Sequence, residues 1–407
     1  MSRKKIIIIV SVILGILLLV LIGYYFLIQN NNGSTNTVVN IFKNFFPFGD
    51  NGAIEPPPEN TGQEPEPNKP IQNNPEQKLR EISMEPVAGA GLKDVKAGTI
   101  VRHIEKATGH IFETELFSPN QSRISNTTLP LVYDAIWGNN NNSLIARYLK
   151  GDDETVDTYS LTLKNTATST ENTVSAIVLP LNIGDVSVLG NSIFYLEQSY
   201  DSSTGYILNF DAKNKFQIWD SPIKEVLSQY VNSKTIALTT KPEKNLPGYL
   251  YFINTASGKT TKILSDVPGL STLTSPDGAE VLYIKQGGSV GMLVFNIKSK
   301  STIGLGPVTF PEKCVWSKKQ ENTLYCAVPR ESLPPDSLSS WYKGLVSFTD
   351  DIWEYDVESG TASIIEKLLD DSGKHIDVVK PLLSDNEQYL VFINKIDNSL
   401  WSLDLTK

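Results

Sequence analysis

Few side chains in this 407-residue chain are suited to chemistry. It has three histidines, His103, His110 and His375, and two cysteines, Cys314 and Cys326. No His-Glu-x-x-His or Cys-x-x-Cys pattern occurs, and no Asp-x-Asp-x-Asp-Gly calcium loop; the Gly-x-Ser-x-Gly match at Gly287 to Gly291 joins two strand-like apolar runs with no helical pattern after it, so it is not a nucleophile elbow. Zinc hydrolysis, dithiol exchange and a serine nucleophile elbow are therefore not indicated, and neither a metal nor a cofactor is expected. Carboxylates are plentiful, but a glycosidase-like pair cannot be picked out without geometry.

The more informative groups are cations and rings that break a pattern. Arg102 and Arg147 lie in two similar apolar runs, "TIVRHIEK" and "LIARYLK", at a position that is Phe194, Leu282, Leu324 or Val391 in related runs. Two guanidinium groups at equivalent sites could grip one anion, such as a C-terminal carboxylate or an acidic peptide side chain, with His103 beside them. Alternatively each arginine is neutralised by a nearby carboxylate such as Glu105, Glu113 or Glu115. A second irregularity is the long stretch "PRESLPPDSLSSWYKGLVSFTDD", in which Trp341 and Tyr342 suit contact with a peptide or sugar. The other reading is that these aromatics pack the loop onto its scaffold. Cys314 and Cys326 lie symmetrically about a turn near Gln320 and face each other across an antiparallel hairpin. They form either a disulfide or a pair of reduced, buried thiols.

The elements that must position these groups recur. "EVLYIKQ" (280–286) has counterparts in "SIFYLEQ", "QYLVFINK", "NTLYCAV", "LIARYLK", "TIVRHIEK" and, more weakly, "TIALTTK". Most are followed by a strand ending in Asp or Asn and then a turn such as Ser-Gly-Lys. The copies lie mostly roughly 43–49 residues apart, near the period of a four-stranded propeller blade. Runs apolar on both faces suit a sheet packed between two other sheets. Ser275-Pro276-Asp277-Gly278 reverses the first strand of one blade into its second: Pro presets φ, Asp bonds its own backbone, and Gly accepts positive φ. The chain reaches Lys407 one strand short of a complete last blade. Leu79 to Ser83 is expected to supply that strand and close the ring. The expected fold class is therefore all-β, a seven-bladed β-propeller over residues 78–407. An open solenoid or a two-sheet sandwich is the alternative.

The "SPDG" turn and the strands ending in Asp or Asn before Ser-Gly-Lys resemble the WD-repeat-like propeller repeats of TolB and of the N-terminal domain of dipeptidyl-peptidase-IV enzymes. The resemblance covers roughly 79–407 and implies a propeller. It does not imply peptidase activity, because no strand-to-helix nucleophile elbow or hydrolase domain accompanies it. The whole layout also looks like membrane-anchored propeller proteins of candidate-phylum bacteria.

That layout begins with Arg3, Lys4 and Lys5, followed by an uncharged apolar run over residues 6–28. At helical rise the run is long enough to cross roughly 30 Å of hydrocarbon. It is too long for the apolar stretch of a cleaved signal peptide, so it reads as an uncleaved signal anchor. The preceding cations put residues 1–5 in the cytoplasm and the remainder outside. Residues 29–77 comprise a juxtamembrane segment with aromatics at helical spacing (36–48) and a Pro-, Glu- and Asn-rich tether. A formal charge of -9 argues against nucleic acid as a partner. The expected function is that of an extracytoplasmic binding or scaffolding module of the bacterial envelope, anchored by residues 6–28, with an envelope protein or peptide as partner. The alternatives are a carboxylate-based glycan hydrolase or lyase and a structural subunit of an envelope complex.

Overall fold

The computed structural model describes residues 74–125, 127–150, 155–164, 173–287 and 289–407. The apolar run at 6–28 and nearly all of the segment at 29–77 lie outside the described residues. Among the described residues, no helix is long and apolar enough to cross a membrane.

Seven sheets of four antiparallel strands follow one another along the chain. In each of blades 1 to 6 the strands pair in sequence order, and the first strands of neighbouring sheets pack together, except that the first strand of blade 5 meets the turn Pro311–Lys313 at the entry to blade 6. The inner strands are Val87–Val95, Val132–Gly138, Ile183–Leu189, Val226–Asn232, Ser271–Thr274, Cys314–Trp316 and Val378–Leu383, for blades 1 to 7. The antiparallel order puts every first-to-second hairpin on one face, called lower here. Second-to-third loops and the entries to inner strands lie on the upper face.

Blade 7 is closed by Leu79–Ser83, whose Leu79 pairs with Leu403 and Arg80 with Ser402 of Leu400–Asp404. Arg80 is 4% exposed and donates to the carbonyls of Leu116 (3.0 Å) and Glu115 (3.2 Å), tying the closing strand to blade 1. Ring closure comes from the N-terminal strand, as the missing strand of blade 7 requires, and it adds the outermost strand to the last sheet.

Burial follows the two-sided apolar pattern. Ile193, Phe194, Tyr195 and Leu196 of the second strand of blade 3 are all nearly inaccessible, as is every residue of Thr323–Pro329 in blade 6. Such strands contribute apolar area on both faces, at about 25 cal/mol per Å² removed from water. The turns obey local chemistry. Gly278 has φ 77°, its N–H donates to Ser275 O (2.8 Å), and the Asp277 carboxylate accepts the Ala279 N–H (3.0 Å). Ser384-Asp385-Asn386-Glu387 of blade 7 builds the same turn without Pro or Gly. There Asn386 Oδ1 accepts the Gln388 N–H (2.9 Å), and Glu387 takes φ 59°. The strand-ending residues cap the next turn: Asn254, Asn296 and Asp356 each accept the amide three residues on, at 3.0 Å.

Candidate functional site

The inner strands of blades 1, 2, 3 and 7 are each interrupted by a bulge near their upper end, between Val87 and Gly89, Val132 and Asp134, Ile183 and Asp185, and Val379 and Leu382. A bulge re-aims side chains and frees strand ends from pairing. Here it turns charged groups into the mouth of the central channel. Lys380, itself at φ 51°, donates to Ala88 O (2.9 Å) and forms an ion pair with Asp134, joining blades 7, 1 and 2. Arg147 lies 5.5 Å from the Tyr133 ring centroid and donates to Ile183 O (2.9 Å), while its Nε is buried without a partner. Asp185 accepts the Ser228 N–H at 2.5 Å. The cavity below has a volume of about 570 Å³, with apolar walls from residues such as Ala135, Ile136, Val186 and Leu382. That size falls in the range of pockets that take small ligands or chain segments.

Two carboxylates at this mouth titrate differently. Burial pushes Asp134 up, but the Lys380 ammonium, helped by Arg147 and Lys106, outweighs it and holds the carboxyl below its ordinary value. Asp185 has no such ion pair; burial pushes it up to about 6 against the Ser228 bonds and the pull of Arg147. Neighbouring groups pushed apart in this way can hold a proton on one carboxyl while the other stays ionised. Among the described residues, no group of three or more His, Cys, Asp or Glu could hold a metal ion.

Beside the mouth, the second-to-third loop of blade 6 (330–349) is fastened to the upper face. Its short helix Ser337–Tyr342 places Trp341, 4% exposed, against Phe310 and Phe348. Trp341 Nε1 donates to Asp377 Oδ2 (2.9 Å), and beneath the indole Lys313 Nζ meets Asp350 Oδ2 (2.5 Å) and Asp377. All three ionised side chains have no exposure. Two carboxylates share one ammonium, and burial pushes Asp350 up to about 6 despite Lys313. Trp341 is thus spent on holding the loop, which is the packing alternative. Tyr342 stays 43% exposed and bonds Glu312.

The structure does not bring Arg102 and Arg147 onto one anion. Both lie four pairs from their lower hairpin, but Arg102 pairs with Glu113 (2.7 Å) and reaches Asn141 O (2.6 Å) in the lower hairpin of blade 2. At about 3.3 Å per residue, that hairpin lies roughly 13 Å below the level of Arg147. His103 is 1% exposed and stacked on Phe112. Burial pushes it down to about 4, so it is a neutral ring of the blade interface. Cys314 and Cys326 are direct cross-strand partners with an S–S distance of 2.10 Å. The bulges and the Lys313 cluster escaped sequence reasoning. The only local signal was a lysine immediately before the inner strand of blade 6.

No family model matches the chain, and no curated protein matches it. Among solved structures it is similar to an oligogalacturonate lyase in complex with manganese, at 9% identity and TM-score 0.49, covering 79% of this chain and 98% of that one. The β-propeller domain of the Trilobed protease from Pyrococcus furiosus gives 10% identity and TM-score 0.48, covering 79% and 95%. TolB from Acinetobacter baumannii gives 11% and 0.41, covering 77% and 78%. The chain is a seven-bladed β-propeller. That statement rests on its seven sheets and their closure, and the neighbours add no functional argument at these scores.

Proposed function

We propose that this propeller is anchored in the cytoplasmic membrane by residues 6–28, lies outside it, and binds a protein or peptide segment of the bacterial envelope at the upper mouth of its channel. The observation that carries the reading is the mouth itself. A cavity of about 570 Å³ combines apolar walls with Lys380, Asp134 and Asp185 from the inner strands of three blades and Arg147 from the second strand of blade 2. Apolar depth suits a side chain, and paired charges of both signs suit the polar backbone or a carboxylate that follows it. The anchor and tether read from the sequence, together with a bonded cysteine pair, support a compartment outside the cytoplasm.

The test is crosslinking on whole cells with a membrane-impermeant amine reagent, comparing the full chain with an Arg147→Ala/Lys380→Ala double variant of unchanged melting temperature. A crosslinked partner that disappears in the double variant is expected. An unlabelled propeller would overturn the outside placement. An identical set of partners with both proteins would overturn the channel mouth as the binding surface.

A further inference from the structure

A second, smaller cavity lies between blades 4 and 5 and the fastened loop of blade 6. It has a volume of about 230 Å³ and is lined by Ser228, Ser271, Thr272, Leu273, Glu312 and Tyr342 among others. At roughly 30 Å³ per water it has room for about seven waters, the space of one small ring and not of a chain. Its one carboxylate is asymmetrically satisfied. Glu312 Oε1 accepts the hydroxyls of both Ser271 and Tyr342, whereas Oε2 is buried with no partner. A buried oxygen left in this way is costly, so a group that meets it is strongly favoured.

The chemistry of that group follows from the surroundings. The neighbouring Lys313 ammonium is committed to Asp350 and Asp377, and among the described residues no cation forms an ion pair with Glu312. Burial also pushes Glu312 up, so its partner has to suit the acid as well as the carboxylate. A hydroxyl can donate to a carboxylate or accept from a carboxylic acid, so it fits either protonation state. Tyr342 holds its own hydroxyl on Glu312 and leaves 43% of its surface open, a fixed aromatic face for C–H groups. Hydroxyls around the rim and an aromatic face at one side are complementary to a pyranose.

We propose that the Glu312–Tyr342 cavity binds one neutral sugar ring, with Tyr342 stacked on its apolar face and Glu312 Oε2 bonded to one of its hydroxyls. This inference is independent of the channel-mouth reading, which concerns Arg147 and Lys380.

The test uses the full chain in detergent and saturation-transfer NMR. The probes are glucose, galactose, mannose and N-acetylglucosamine at millimolar concentration, with ethylammonium as the cationic competitor. At least one neutral sugar should receive transfer, and Tyr342→Ala should weaken its binding by about tenfold, the loss of roughly one stacking contact. Glu312→Leu, which puts carbon where Oε2 lies, serves as the second variant should Tyr342→Ala not fold. Arg147→Ala/Lys380→Ala should leave the sugar signal unchanged, which separates failure here from failure at the channel mouth. The proposal is overturned if no sugar binds, if binding ignores both cavity variants, or if only ethylammonium shows the dependence.

Discussion

The interface of blades 1 and 2 and the upper face of blade 6 both place a cation and a ring where a blade would otherwise be apolar, and they neutralise the charge in opposite ways. Arg102 meets Glu113 directly across one strand pair, with 13% and 27% of the side chains still exposed. Lys313 is fully buried and draws its two carboxylates from residue 350, where the loop it anchors ends, and residue 377, at the entry to blade 7. A pair that solvent still reaches contributes modestly, since it is partly screened. A buried ammonium is costly unless its partners are complete, so the blade 6 cluster fixes the loop by making every alternative placement worse. A basic side chain therefore marks a local repair in one region and a loop anchor in the other.

The comparison can be broken most sharply at Lys313. Lys313→Met leaves Asp350 and Asp377 buried without a cation and should cost about 3–5 kcal/mol in urea unfolding. Adding Asp350→Asn should return part of that loss. A cost as small as that of a surface pair would end the distinction.

His103 offers the next effect. Its free value is 6.5 and its folded value about 4. Between those values the unfolded chain binds more protons, so stability rises with pH across that window and is lost as pH falls through it. His103→Phe should remove up to about 3 kcal/mol of that acid loss, read as the change in unfolding free energy between pH 7 and pH 4. The smallest effect is expected at Arg102. A double-mutant cycle of Arg102→Gln with Glu113→Gln should give a coupling of about 1 kcal/mol or less. A coupling of several kcal/mol would put this pair in the same class as Lys313.

Much of the fold was legible because it is written in local chemistry. Pro276, Asp277 and Gly278 specify their turn within four residues, and the doubly apolar strands specify sheets packed on both faces. Closure by Leu79–Ser83 followed from counting strands. The site was less legible. Which inner-strand residues enter the channel depends on bulges at Tyr133, Gly184 and Lys380, and a one-residue shift in pairing leaves no mark in composition. Arg102 and Arg147 occupy matching positions, yet their partners lie on different blades at different heights. The Lys313 cluster joins residues tens of positions apart, beyond any local pattern. Tyr342 was singled out as an aromatic on an insertion; that its hydroxyl pairs with Glu312 was not readable.

Ring closure also sets a clock. Leu79 pairs with Leu403, so the strand made first has its partner made almost last. At roughly 5–20 residues per second, it waits on the order of 16–65 s during synthesis. Through that interval Ile82, which is wholly buried in the finished ring, lacks its blade 7 neighbours Val391, Ile393 and Leu400. Six complete blades can form before the seventh can exist. The nascent protein therefore passes through a long-lived, nearly complete ring with one unpaired strand, and any factor that shields a chain during its synthesis would have its longest opportunity there.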